Sequence, residues 1–85
     1  MTWLDDYAEG LARRSGSDVR LSREEFAAML DLARAVAHRT ERRFAPVSTF
    51  LAGKFVAARL AQGSDAVSAA AEALAAAEEL LPPDA

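Results

Sequence analysis

Residues 47–60 read V-S-T-F-L-A-G-K-F-V-A-A-R-L, and only Lys54 and Arg59 in them carry charge. Val47, Phe50, Leu51, Phe55, Val56, Ala57 and Leu60 put apolar groups on nearly every side of a 3.6-residue helix. A helix that is apolar all round is ordinarily central, touched by neighbours on several flanks. The expectation is therefore a rod clasped by three companion helices. Pro46 suits its first turn, where a missing N–H costs nothing, and Ala45 before it is pushed toward extended geometry. Gly63 closes the far end. Gly53, in the helix interior, costs about 1 kcal/mol relative to alanine, and close packing against a neighbouring helix is its expected use.

Three companions follow from the spacing of apolar residues on either side. The first opens at Thr2, whose hydroxyl caps it, with Asp5 placed favourably for the helix dipole. Trp3, Leu4, Tyr7, Ala8 and Leu11 form its apolar stripe, and Gly16 ends it after Arg13 and Arg14. Trp3 and Tyr7 are expected to anchor it in the core. The second opens on a capping box, Ser22 with Glu25, and Leu21 can staple onto Phe26. Its buried face is expected to be Phe26, Met29, Leu30, Ala33, Val36, Ala37 and Thr40, widened by Leu32. The last is capped by Ser64 or Asp65, carries Val67, Ala71, Leu74 and Leu81 on one face, and stops at Pro82-Pro83. The predicted helices cover residues 3–15, 23–42, 46–62 and 65–81. Loops between them are short, so the predicted fold is all-α, a compact four-helix bundle forming a single domain over 1–85.

Composition bounds what such a bundle can do. The chain has 85 residues, 52% hydrophobic and 27% charged, which is globular composition with room for one core. It contains no cysteine, which excludes a disulfide framework, a thiolate metal site and a cysteine nucleophile. A single histidine leaves too little for a histidine-built metal site. Alanine supplies 21 residues and arginine nine of the ten basic ones, biases that GC-rich coding produces by itself. Asp5 and Asp6 interrupt the N-terminus where a signal peptide needs an apolar run. The longest charge-free stretch, Phe44 to Gly53, is about half of the ~20 residues that a bilayer span requires. A cytoplasmic chain with no membrane partner is expected, and a pI near 5.0 disfavours nucleic acid.

Charge is distributed in blocks. Residues 1–33 balance to −3, residues 34–59 to +5 and residues 60–85 to −5. Two readings fit. In one, Arg34, Arg39, Arg42 and Arg43 pair with Glu72, Glu78 and Glu79 across the bundle or stay solvated. In the other, the turn between the second and third helices receives an anion or an acidic partner loop. The residues for that role are His38, Glu41, Arg42, Arg43, Thr49 and Lys54.

Other chemistry fits poorly. His38 and Glu41 share a face only if the second helix continues that far, and one such pair supplies too few ligands for a bundle metal site. Gly53-Lys54 lacks the earlier glycine and the following Ser/Thr of a phosphate loop. Ser48 and Thr49 have no base except His38, so nucleophilic catalysis is not expected. The alanines of the last helix are expected to fill a tight internal contact and part of the surface; the alternative is that Ala69, Ala73, Ala76 and Ala77 form a flat docking face for a second subunit or partner.

The stretch Asp31 to Gly53, D-L-A-R-A-V-A-H-R-T-E-R-R-F-A-P-V-S-T-F-L-A-G, resembles the central segment of a small bacterial helical domain family of unknown function. Matching positions are Ala33, Val36, Ala37, His38, Glu41, Arg42, Ala45, Pro46, Thr49, Phe50, Leu51 and Gly53. The N-terminal W-L-D-D-Y and the acidic last helix are similar too. Members of that family occur alone or fused to the nucleotidyltransferase that makes molybdopterin-guanine dinucleotide. The resemblance implies a non-catalytic accessory domain linked to molybdenum cofactor biosynthesis, whose partner is that nucleotidyltransferase or a molybdoenzyme. It implies no enzyme activity, no bound cofactor and no metal. An anion- or nucleotide-binding protein using the helix 2–3 turn is the alternative, and a homodimer through helix four is a third.

Overall fold

Side-chain caps open three of the four helices. A computed structural model describes residues 2–84, so the outermost positions of the 1–85 reading, residues 1 and 85, lie outside the described residues. Four helices are present among them and no strand: α1 (Trp3–Ser15), α2 (Arg23–Arg39), α3 (Phe44–Ala61) and α4 (Ala66–Leu80). The all-α, four-helix fold class read from the sequence is the one observed. Thr2 with Asp5, and Ser22 with Glu25, both form complete capping boxes. Asp65 rather than Ser64 caps α4, its Oδ1 accepting from the Ser68 backbone N–H at 2.8 Å. Gly16 and Gly63 follow α1 and α3 with φ of 73° and 96°, values that only glycine adopts without strain.

Two predicted boundaries move by more than one residue. α2 stops at Arg39 rather than 42, because the Thr40 backbone leaves the helical region (φ −136°, ψ −121°) while its N–H and hydroxyl both donate to the Val36 carbonyl. α3 starts at Phe44, two residues before the predicted start, so Ala45 is helical rather than extended. Pro46 then occupies the third helical position. There its ring meets no carbonyl of a preceding helical turn, and its missing N–H is one that the first turn leaves unused.

The core is small. Leu32 and Val36 of α2 and Ala52 of α3 form its centre, with Met29, Ala73, Leu74, Ala77 and Leu81 packed around them. Ala69 and Ala70 of α4 are the most completely buried residues. Burying a leucine contributes about 1.5–3 kcal/mol, and each extra methyl only about 0.8. Alanines therefore serve here by letting α4 approach closely. This reverses one expectation and decides between two readings of α4. Leu32, predicted as the edge of the α2 stripe, is its centre, whereas Phe26 and Leu30 are exposed. The proposed docking face on α4 also turns inward: Ala69 is buried, and Ala73, Ala76 and Ala77 are half-buried.

The expected central position of α3 also needs correction. α2, α3 and α4 each pack against the other two, but α1 packs against none of them. Two companions clasp α3 rather than three, and its far side is open. Phe50 is 70% exposed and Leu51 61%. Nothing stands within 4 Å of the position that a Cβ on Gly53 would take, so the expected tight packing there is absent. All-round apolarity marks a helix with several contact faces. It does not say that one chain supplies every contact.

Candidate functional site

The basic corner is built by the α2–α3 turn. Glu41 and Arg42 carbonyls accept from the Phe44 and Ala45 N–H groups, and Pro46 has none to offer. The start of α3 therefore presents few backbone donors, and any anion here would rest on side chains. Arg43 Nε lies 2.9 Å from Glu41 Oε1, with both side chains mostly exposed, and its guanidinium sits 5.3 Å from the centroid of the Phe44 ring. His38, in the last turn of α2, and Arg42, in the turn itself, are exposed. Because α2 ends at Arg39, Glu41 is outside the helix and does not share a helical face with His38.

Two of the six predicted residues stand apart from this group. The Thr49 hydroxyl donates to the Pro46 carbonyl at 2.8 Å. Lys54 lies ten residues beyond Phe44 along α3, about 15 Å at 1.5 Å per residue, and its Nζ sits 5.7 Å from the Phe50 ring centroid. So the structure joins Glu41 to Arg43, leaves His38 and Arg42 in solvent near them, and sets Lys54 elsewhere. Three surface grooves are lined by other residues altogether. Among the described residues, no three histidine or carboxylate side chains gather as a metal-holding group, and no helix is long and apolar enough to cross a membrane.

The expected cross-bundle pairs are replaced by different ones. Arg34 lies 3.5 Å from Asp31 on its own helix, and Arg39 binds backbone carbonyls of Leu81 and Pro82. The ion pair that does bridge two helices joins Arg59 of α3 to Glu72 of α4 at 3.1 Å.

A second site emerges at α1, which sequence reasoning assigned to the core. Trp3 is 70% exposed and stacks on Tyr7, ring centroids 5.0 Å apart and planes 14° from parallel. Leu4, Tyr7 and Leu11 also remain exposed. Together with Val19 and Leu21 of the following loop and Phe26 of α2 they line an open apolar groove of about 580 Å³. Arg20 stands at its rim, paired to Asp18 through Nε at 3.1 Å and Nη2 at 3.3 Å. Hydrogen bonds from the Arg20 side chain and backbone hold the Asp18 carboxyl below the usual carboxylate range.

α1 has 13 residues and no helix to lean on. An isolated helix of this length is marginal in water. What holds it is local. The Thr2 N–H donates to Asp5 Oδ2 at 2.9 Å, Asp5 N–H returns to Thr2 Oγ1, and Glu9 pairs with Arg13 one turn on at 3.0 Å. The bonds from Thr2, its backbone first, hold the Asp5 carboxyl below its ordinary value. Acidic residues at the start of α1 and Arg13 and Arg14 at its end complement its dipole. The signal that could have identified this site is the length of the apolar stripe relative to the core available to bury it.

Comparison with known proteins adds a family. A family model described as a domain of unknown function, DUF6457, matches residues 1–84. No curated protein and no solved structure matches the chain.

Proposed function

This chain belongs to the DUF6457 family of domains of unknown function, and we propose that it is a non-catalytic accessory domain that acts by binding another protein through α1. One observation carries this reading: α1 holds its shape by caps and local pairs while Trp3, Leu4, Tyr7 and Leu11 stay bare beside an apolar groove. Exposed aromatics beside an apolar groove are side chains of the kind that most often dominate binding energy, and large exposed apolar patches mark interaction surfaces. The groove is of a size and lining suited to a helix or loop of a partner.

The partner in this reading is the nucleotidyltransferase that makes molybdopterin-guanine dinucleotide, or a molybdoenzyme that receives the cofactor. Support for that identity comes from the resemblance carried by W-L-D-D-Y and by the segment from Asp31 to Gly53. Chemistry in this account belongs to the partner. In this domain Thr49 has its hydroxyl turned to its own backbone and Glu41 is engaged with Arg43.

Co-purification from the native cell tests the reading. The wild-type chain should recover the nucleotidyltransferase or a molybdoenzyme, and a Trp3→Ala/Tyr7→Ala variant should lose it while α2, α3 and α4 stay folded. Repeated recovery of neither enzyme, or equal recovery by the variant, contradicts it.

A further inference from the structure

α3 carries another bare surface, on the side away from α2 and α4. Helix residues three and four apart are neighbours, so Val47, Phe50, Leu51, Ala57, Ala58 and Ala61 form one stripe, and all six are exposed. Lys54, at its middle, is the stripe's only charge. The chain exposes 6380 Å², whereas a folded monomer of its mass exposes about 4,900 Å². The excess comes from apolar faces that no other helix of the chain covers, the outer side of α3 among them.

We propose that this face docks a second copy of the chain, as an antiparallel α3–α3 pair whose two-fold axis passes beside Lys54. A two-fold contact must be self-complementary, and the stripe has that property. Its first half is bulky, with Val47, Phe50 and Leu51, and its second half is alanine. An axis beside Lys54 sets Val47 opposite Ala61, Phe50 opposite Ala58 and Leu51 opposite Ala57 of the second copy, large against small along the whole contact. Gly53 borders the stripe with open space in place of a side chain, which permits close approach of the second backbone. The Lys54 ammonium lies over its own Phe50 ring, 5.7 Å from the centroid, a cation–π contact inside the stripe. Two ammonium groups near one axis repel, and they set an upper limit on the affinity. This surface is separate from the α1 groove, and the inference does not depend on the partner assigned above.

Sedimentation of the full chain over a micromolar dilution series should show a species of twice 9.1 kDa at the upper concentrations. Phe50→Glu should abolish that species with the helical circular dichroism unchanged. If Phe50→Glu fails to fold, Ala57→Glu serves in its place, being exposed on the same stripe. Lys54→Met should tighten self-association several-fold by removing the repulsion at the axis. Because the chain has no cysteine, Lys54→Cys should form an intermolecular disulfide on mild oxidation, and Glu78→Cys on the exposed side of α4 should not. A mass of 9.1 kDa at every concentration overturns the proposal, and so does a dimer that Phe50→Glu leaves intact or that Lys54→Cys fails to crosslink. A face that serves only a different protein gives the first of these outcomes.

Discussion

Arg39, in the last turn of α2, donates from Nε to the backbone carbonyl of Pro82 at 2.7 Å and reaches the Leu81 carbonyl at 3.4 Å. α4 ends at Leu80 with no basic residue in its own last turn. The cation that complements the negative end of α4 is therefore supplied by a different helix. Replacing Arg39 with alanine should lower stability by about 1 kcal/mol, the scale of one charge-assisted hydrogen bond at a partly exposed site. Amide exchange at Leu80 and Leu81 should accelerate, with little change in α1. Unaltered exchange at those two amides would show that the contact does not hold the chain end.

Core substitutions should separate sharply from surface ones. Leu32→Ala should cost about 2–5 kcal/mol, because it removes the largest side chain at the centre of a small core. Leu30→Ala, two residues away but half exposed, should cost well under half of that in the same denaturant titration. Similar losses at both positions would place the packing axis of α2 elsewhere.

Arg59 and Glu72 hold α3 to α4 at 3.1 Å while remaining partly exposed. A double-mutant cycle with Arg59→Met and Glu72→Gln should return a coupling of about 0.2–1 kcal/mol that shrinks with added salt. Arg59 also donates to Gln62 at 2.9 Å, so the single Arg59 variant should lose more than the Glu72 variant. A coupling independent of salt contradicts this assignment.

Acid should weaken the caps. The Asp65 carboxyl is held below the usual range by the Ser68 backbone and hydroxyl, and Asp5 likewise by Thr2. A folded value below the unfolded one means that the unfolded chain takes up protons more readily. The stabilisation is thus fully present above the ordinary carboxylate range, near pH 4, and is lost as pH falls through the lower folded values. An Asp5→Asn/Asp65→Asn variant keeps cap acceptors but should show a shallower acid decline in melting temperature than the wild type. Parallel acid slopes would mean that other carboxylates govern the transition.

Much of the fold was legible because caps are local. Thr2, Ser22, Gly16 and Gly63 act within a turn of their own positions, and each performs the role its residue type suggests. The helix starts that shifted did so around Pro46, where the preceding-residue rule yields to the looser demands of a first turn. Burial was less legible. An alanine-rich α4 gives no contrast between inner and outer faces, so Ala69 and Ala73 fitted both an internal contact and a docking face until the packing against them defined the inside. Trp3, Tyr7, Phe50 and Leu51 were the hardest to place, since periodicity reports that a face is apolar and not which molecule covers it. At the basic corner, Glu41 and Arg43 stood in one candidate group, but spacing could not anticipate the early end of α2 that takes Glu41 off the helix, nor the ion pair between the two.

Trp3 is the chain's single tryptophan, which makes its fluorescence a direct reporter of the α1 face. Dilute isolated chain should show the red-shifted emission of a solvated indole, and titration with purified molybdopterin-guanine dinucleotide nucleotidyltransferase should shift that emission to the blue with saturation. Emission already blue-shifted in the dilute chain, or unmoved by the enzyme at saturating concentration, would contradict the assignment of α1 as the docking helix.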